Sequence, residues 1–272
     1  MSKETSRIKA KFAKLASKKE KALITYIMTG YPSQKFTLST IRALIKGGAD
    51  IIELGFPFTD PLADGPVIQN ASTTSLEKGT KLDQLFEIVR KIRKESDIPL
   101  VLMTYTNILY HRGYDKFFKL AKSAGIDGLI TPDMTVEESK EYIKAAKKHK
   151  IDTIFLVSPN TSKPRLQKIV RQTSGFLYLV SVYGTTGMQT KIQQYTINAL
   201  KNTKKIANSK IPVGIGFGVS TPNDVRYYSK NGADAVIIGS ALIKLIEKTP
   251  ATKLEKTVIA FTRKLKAATR PI

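Results

Sequence analysis

Short apolar runs alternate with longer amphipathic segments along this chain, and this alternation is the feature that most constrains its fold. Eight runs, spaced at about thirty residues, are predicted strands: Leu23–Met28, Asp50–Leu54, Pro99–Met103, Gly128–Ile130, Thr153–Val157, Phe176–Val180, Pro212–Ile215 and Ala235–Ile238. The segments between them have helical periodicity, as in 36–46, 82–95, 114–124, 136–149, 164–173 and 222–231. Eight such repeats predict the α/β class and a single (β/α)8 TIM barrel.

A doubly wound parallel sheet is the alternative architecture. It would need fewer strands and a glycine-rich nucleotide fingerprint after the first strand, and Met28–Pro32 does not provide one. The 272 residues fit one barrel, which usually takes about 250. Because no linker or low-complexity tract interrupts the chain, we expect one domain over residues 1–272, with residues 1–20 as an N-terminal helical extension that covers the bottom of the barrel.

Two helix starts are marked by capping residues. Thr135 is followed three positions later by Glu138, which predicts a capped helix start at Thr135. Ser220, Thr221 and Pro222 predict a second start, with proline in the first turn.

The charge balance indicates a second possible class of function, the binding of polyanions such as nucleic acid. The chain carries 45 Lys and Arg against 22 Asp and Glu, a net charge of +23, and such a field attracts polyanions. The lysines recur on nearly every predicted helix and do not cluster with exposed aromatics, so we expect no specific nucleic-acid site. With no apolar run near ~18 residues and no signal-peptide core, we expect a cytoplasmic protein without a membrane segment. The absence of cysteine excludes a thiolate nucleophile, and with two histidines we expect no metal site.

Three carboxylates stand in and after the second predicted strand: Glu53, Asp60 and Asp64. Glu53 lies in an apolar run, where an ionisable group is costly unless it sits at the strand end beside a cleft. Five glycines and prolines between Gly55 and Pro66 restrict the following loop. Glu53 could instead pair with a lysine while the two aspartates serve as ordinary turn residues. The rigidity of the loop favours an active site in which two carboxylates divide acid and base work.

Glycine-rich turns follow the last two predicted strands, at Gly214–Ser220 and Gly239–Ser240. Barrels often bind phosphate there, because backbone N–H groups and a helix N-terminus approach the anion. Each turn alone could be a tight strand-to-helix connection, but together they favour a phosphomonoester substrate. After the sixth strand, residues 181–188 have the glycine spacing of a mobile lid. Tyr178 in that strand is either a core aromatic or a residue facing the carboxylates.

The run Glu-Leu-Gly-Phe-Pro-Phe-Thr-Asp-Pro-Leu-Ala-Asp-Gly-Pro-Val-Ile-Gln, from Glu53 to Gln69, closely resembles the signature of the tryptophan synthase alpha subunit family. Later segments agree with that family in order and spacing across most of the chain. The resemblance implies a lyase of tryptophan biosynthesis that cleaves indole-3-glycerol phosphate, by a reversible retro-aldol reaction, to indole and glyceraldehyde 3-phosphate. It implies that Glu53 and Asp64 are the catalytic acid/base pair and that this chain needs no metal or organic cofactor.

The resemblance also implies substrate contacts and a partner. The phosphate binders of the family correspond to Gly187, Gly216, Phe217, Gly218, Gly239 and Ser240, its lid threonine to Thr186, and two aromatic residues of its site to Tyr26 and Tyr178. Tyr26 replaces a phenylalanine common in relatives, so its hydroxyl needs a partner. The family docks on a pyridoxal-phosphate-dependent beta subunit in an alpha2-beta2 heterotetramer, for which Pro61 and Asn107 are the matching contact candidates.

Two rival hypotheses remain open at the level of sequence. Among other phosphate-binding barrels of the same pathway, phosphoribosylanthranilate isomerase usually uses a cysteine base, and indoleglycerol-phosphate synthase uses lysines at strand ends. The chain has no cysteine, and the predicted strands have no lysine at those positions. A basic nucleic-acid-binding or scaffold protein is the third hypothesis. It would bind polyanions in a salt-dependent manner and would not turn over indole-3-glycerol phosphate.

Overall fold

The strands form a parallel barrel in the computed structural model, which describes residues 6–180, 189–216 and 218–271. Within these ranges one sheet has the order β5-β4-β3-β2-β1-β9-β8-β7-β6, and every neighbouring pair runs parallel. Its strands are β1 (Ala22–Met28), β2 (Ile51–Gly55), β3 (Leu100–Met103), β4 (Gly128–Ile130), β5 (Asp152–Ile154), β6 (Leu156–Val157), β7 (Leu177–Val180), β8 (Val213–Gly216) and β9 (Ala235–Ile238). Each predicted strand is present to within one residue at its ends.

The two outer strands of this order are halves of one predicted strand. β5 and β6 are separated only by Phe155, and β5 pairs with β4 while β6 pairs with β7. The chain therefore turns a corner at Phe155 between its two neighbours, and the sheet closes there into eight strand positions. The prediction of a (β/α)8 barrel is confirmed.

Helices surround the barrel. They are α1 (Arg7–Ser17), α2 (Gln34–Gly47), α3 (Pro66–Glu77), α4 (Leu82–Arg93), α5 (Thr106–Arg112), α6 (Tyr114–Ala124), α7 (Lys140–Lys148), α8 (Lys163–Gln172), α9 (Gln189–Ala207), α10 (Pro222–Lys230), α11 (Ser240–Lys248) and α12 (Leu254–Ala267), with a 3-10 turn at Ala251–Lys253. Among these described helices, none has the length and apolar character required to cross a bilayer.

One of the two predicted helix starts is correct. Thr221 caps α10, because the Asp224 N–H donates to the Thr221 hydroxyl at 3.2 Å and the Asp224 carboxylate accepts from the Thr221 N–H at 2.8 Å. The start predicted at Thr135 is wrong, since α7 begins at Lys140. Thr135 does accept from the Glu138 N–H at 3.3 Å, but that bond closes a separate turn, and the Ser139 hydroxyl donates to the Val136 carbonyl at 2.9 Å before the helix begins.

The barrel interior contains a column of side chains that begins in α1. Ile8, Phe12 and Leu15 of α1 pack in one buried cluster with inward residues of the strands. The ring centroids of Phe12 and Phe176 lie 6.0 Å apart, and those of Phe176 and Tyr178 lie 6.5 Å apart. Helix α1 thus closes the amino-terminal end of the barrel, and the column leads from it towards the carboxyl end. The single-domain organisation of residues 1–272 stays a prediction.

Carboxylates at the amino-terminal end of the barrel are paired with basic groups. Asp127, which precedes β4, contacts Arg7 of α1 at 3.1 Å and Arg93 of α4 at 2.5 Å. Asp50, which precedes β2, contacts Lys266 of α12 at 2.8 Å. Because these charges are compensated, their burial is consistent with a structural role.

Candidate active site

A cavity of about 490 Å³ opens at the carboxyl ends of the strands, where barrel enzymes place their chemistry. Both polar and apolar groups line it, and they come from the ends of several different strands. The lining residues are Tyr26, Glu53, Asp64, Ile68, Met103, Tyr178, Gly218, Val219, Ser220, Ile237, Gly239, Ser240, Ala241, Lys244 and Phe261. The structure therefore brings together most of the site residues that the sequence predicts.

Glu53 is a buried carboxyl group without a basic partner among the described residues. It is the third residue of β2, in register with Tyr26 of β1, and only 1% of it is exposed. Its Oε2 atom has no hydrogen-bond partner within the described ranges. Burial raises the pKa of Glu53 to about 8, with a further contribution from the negative charge of Asp64. At neutral pH Glu53 is therefore mostly protonated and can act as an acid.

Asp64 is held in a rigid loop between β2 and α3. The Tyr105 hydroxyl donates to Asp64 Oδ2 at 3.0 Å, and the Gln69 side-chain amide donates to the Asp64 carbonyl at 2.9 Å. Burial raises the pKa of Asp64 to about 6, and the hydrogen bond from Tyr105 opposes that rise. Asp64 is therefore ionised at neutral pH, where Glu53 is not. The two aspartates of this loop have different environments: Asp64 lines the cavity, whereas Asp60 is exposed and does not line it.

The contribution of Tyr105 was missed at the level of sequence. Besides donating to Asp64, its hydroxyl accepts from the Ala63 N–H at 3.2 Å, and its ring stacks on Phe58 with centroids 4.9 Å apart. Tyr105 thereby fixes both the backbone at Ala63 and the carboxylate of Asp64 in the acidic loop, the residues 56–65 between β2 and α3. Its position just after β3, at the catalytic end of the barrel, was the available signal.

Two tyrosines occupy space that glycines leave on neighbouring strands. Tyr26 lies against Gly55, and Tyr178 lies against Gly216, so that a side chain on either glycine would collide with the facing phenol. Tyr26 also lines the cavity, where its hydroxyl can meet a ligand. Burial, aided by the charges of Asp64 and Glu53, holds the pKa of Tyr26 well above its usual range, so this hydroxyl stays a proton donor in hydrogen bonds.

Another part of the cavity lining, after β8 and β9, is formed by backbone. Gly218 has a φ of +76°, a conformation that favours glycine, and lies in the turn after β8. Gly239 precedes Ser240, the first residue of α11, and both line the cavity. The first N–H groups of a helix lack intrahelical partners and carry a partial positive charge, so this wall suits an anion. Thr186, Gly187 and Phe217, also predicted to contact substrate, lie outside the described residues.

The two partner candidates lie outside the cavity, on the loop and helix at its rim. Pro61 is half-buried in the acidic loop and Asn107 is exposed on α5. Near them in sequence, Leu62 is 82% exposed and Tyr110 is 74% exposed. Two large apolar side chains in contact with water are compatible with a protein contact surface on this side of the barrel.

Comparisons with known proteins identify the family. The family model described as tryptophan synthase alpha chain matches residues 12–270. The tryptophan synthase alpha chain of Methanosarcina acetivorans is 44% identical over 261 residues, covering 96% of this chain and 93% of that one. The alpha chain of Carboxydothermus hydrogenoformans is 44% identical over 251 residues, covering 92% and 93%.

Solved structures agree with the sequence comparisons. The crystal structure of tryptophan synthase subunit alpha from Legionella pneumophila has a TM-score of 0.90 and 34% identity, covering 97% of this chain and 98% of that one. The tryptophan synthase a2b2 complex from Pyrococcus furiosus contributes a chain with a TM-score of 0.85 and 38% identity, covering 91% and 99%. The chain therefore belongs to the tryptophan synthase alpha chain family, the lyases of tryptophan biosynthesis that cleave indole-3-glycerol phosphate.

Proposed function

We propose that Glu53 and Asp64 carry out the cleavage of indole-3-glycerol phosphate to indole and glyceraldehyde 3-phosphate. One observation carries this assignment: two buried carboxyl groups, with no basic partner among the described residues, share one cavity and have pKa values near 8 and 6. At neutral pH one is an acid and the other an anion, which is the division of roles that the reaction needs.

The proposed steps begin with the indole ring. Glu53 protonates C3, and the positive charge that appears at N1 is stabilised by the Asp64 carboxylate, which accepts from the ring N–H. The Glu53 carboxylate then removes the proton of the hydroxyl on the carbon attached to C3. As that oxygen becomes the carbonyl of glyceraldehyde 3-phosphate, the C–C bond breaks and its electron pair returns to the indole ring. Glu53 is left protonated for the next cycle.

The remaining cavity residues are proposed to bind the substrate. Gly218, Gly239 and Ser240 of the lining, with Gly216 at the end of β8, would hold the phosphate near the start of α11, while Tyr26 and Tyr178 would flank the indole ring. Support comes from the cavity lining, which combines glycine backbone and the N-terminus of α11 with aromatic side chains. The roles of Thr186, Gly187 and Phe217 stay predictions of the resemblance.

A pH profile tests the acid/base assignment. We expect kcat/KM for indole release to rise as Asp64 ionises near pH 6 and to fall as Glu53 loses its proton near pH 8. Indole formation from indole-3-glycerol phosphate, measured from about pH 5 to about pH 9, gives the profile. A rate that stays constant across this range would contradict the assignment. A preparation that binds polyanions without releasing indole would instead support the basic scaffold hypothesis.

The proposed partner is a tryptophan synthase beta subunit that holds pyridoxal phosphate, in an alpha2-beta2 assembly. Indole is small and apolar and would escape from a free alpha subunit, so docking the cavity mouth on the consuming enzyme retains it. Pro61 and Asn107, with the exposed Leu62 and Tyr110, are proposed to form the contact. Membership of a family with an a2b2 complex among its solved structures supports this assembly.

The net charge of +23 predicts how this association depends on salt. We expect the cognate beta subunit to be acidic around its docking face, so the complex should form fast at low salt and weaken as salt rises. Light scattering or sedimentation of the mixed subunits, from about 0.05 M to about 0.5 M salt, measures this. Salt-independent affinity would show that the charge serves solubility alone, and the absence of any complex would remove the partner proposal.

A further inference from the structure

Lys244 stands out among the residues that line the cavity. Glu53 and Asp64 are both acidic, and Lys244 is the one basic side chain in the described lining. A phosphomonoester brings about two further negative charges into a cavity where Asp64 is already ionised. Backbone N–H groups carry only partial positive charges. A full positive charge beside the first turn of α11 would therefore strengthen the binding of the phosphate.

The position of Lys244 in α11 directs its side chain towards the first turn of that helix. It lies four residues after Ser240 and therefore on the same face of the helix, roughly 6 Å further along the axis. Helical side chains lean towards the N-terminus, so the lysine stem points back over the turn formed by Gly239 and Ser240. Phe261 of α12 lines the same cavity and offers an apolar surface along which the stem can lie.

Among the described residues, no carboxylate holds Lys244 elsewhere. Lys204 is bound by Asp234 at 2.6 Å and Lys266 by Asp50 at 2.8 Å, whereas Lys244 has no hydrogen bond or ion pair within the described residues. Even Glu247, three positions on in α11, forms no ion pair with it among those residues. The Lys244 ammonium group is therefore free to meet an anion at the cavity mouth.

We propose that Lys244 is a substrate-binding residue that contacts the phosphate of indole-3-glycerol phosphate beside the N-terminus of α11, and so sets the preference for phosphorylated substrates. The proposal rests on the placement of the phosphate given under the proposed function. Lys244 contributes to binding and takes no part in the proton transfers at the indole ring. Its removal should therefore act on KM and leave kcat nearly unchanged.

Replacing Lys244 with methionine tests this, because the change keeps the stem and removes the charge. We expect KM for indole-3-glycerol phosphate to rise about fivefold and kcat to change less than twofold. The inhibition constant of inorganic phosphate should rise to a similar extent, while that of indole should not change. Lys244→Arg should restore KM to within about twofold of the parent, since it restores the charge.

Lys248→Met is the matched control. Lys248 lies one turn further along α11, is exposed and does not line the cavity. It should leave all of these constants unchanged. The KM of the parent should also rise more steeply with ionic strength than that of Lys244→Met, which a merely structural role for Lys244 would not produce.

The outcomes distinguish a failure of the Lys244 contact from a failure of the phosphate site at α11. If phosphate inhibits the parent enzyme but Lys244→Met keeps the KM and phosphate inhibition of the parent, Lys244 is not a phosphate contact and the proposal is wrong. Equal losses for phosphate and indole in Lys244→Met would also overturn it, because they indicate a structural defect. If phosphate does not compete with substrate even in the parent, the phosphate site at α11 itself is wrong, and this proposal fails with it.

Discussion

Replacing Glu53 with glutamine is expected to lower kcat for indole formation by about 10²- to 10⁴-fold, the usual contribution of a general acid–base group. Glutamine keeps the shape of the side chain but can neither deliver a proton to C3 nor accept one from the glycerol hydroxyl. Binding of glyceraldehyde 3-phosphate should be nearly unchanged. Glu53 lies in β2, whereas the proposed phosphate site lies at the ends of β8 and β9 and the start of α11. Turnover above a few per cent of the parent would show that another group carries the proton.

The pH dependence of stability shows whether Glu53→Gln is correctly folded. In the parent, burial of ionised Glu53 lowers the free energy of unfolding at high pH. A pKa raised from 4.5 to about 8 means that the folded chain binds more protons than the unfolded chain between those values. The free energy of unfolding therefore falls as pH rises through this window, by up to an amount on the order of 5 kcal/mol. Glu53→Gln removes that dependence. The variant should therefore be more stable than the parent at pH 9, and this difference in the free energy of unfolding should disappear towards pH 5. An inactive variant that is also less stable at pH 9 would point to misfolding.

Replacing Asp64 with asparagine should lower kcat by about 10²- to 10³-fold, because an amide cannot supply the negative charge that faces the indole N–H. The effect should extend to the pH profile. Since the charge of Asp64 helps to raise the pKa of Glu53, its removal should shift the alkaline limb of kcat/KM to lower pH and abolish the acidic limb. Kinetics across the same pH range measure both changes.

Asp60→Asn is the matched control for that variant. Asp60 belongs to the same loop, yet it is exposed and does not line the cavity, so its substitution should leave turnover and the pH profile intact. Loss of activity in Asp60→Asn together with normal activity in Asp64→Asn would assign the catalytic role to the other loop carboxylate.

The strands were predictable from sequence because a parallel barrel buries both faces of each strand. Runs such as Gly128–Ile130 and Ala235–Ile238 are apolar throughout, and both lie where the sequence predicts them. The split of the fifth strand at Phe155 was not predictable, since it depends on which neighbour each half pairs with. The early start predicted for α7 failed for a local reason, as the capping pattern at Thr135 is satisfied by an isolated turn.

The acidic loop shows where sequence reasoning about the site ends. Spacing and loop stiffness single out Glu53 and two aspartates, but only packing distinguishes Asp64, which receives a hydrogen bond from Tyr105, from the exposed Asp60. Tyr105 itself is about forty positions away in sequence and reaches the loop because β2 and β3 are neighbours. The sequence does not distinguish Lys244 from the other residues among its 45 lysines and arginines. Its position in α11, which places it in the cavity lining, is visible only in the structure.

The column of rings from Phe12 through Phe176 to Tyr178 connects helix α1 to a side chain that lines the cavity at the far end of the barrel. Interiors are close-packed, so a smaller residue at Phe12 opens a void that the rings above can partly fill. Tyr178 would shift with them, and the space beside the carboxylates would grow without a substitution at either carboxylate. Enzymes for bulkier indoles could therefore be sought by redesigning helix α1, which touches none of the reacting atoms.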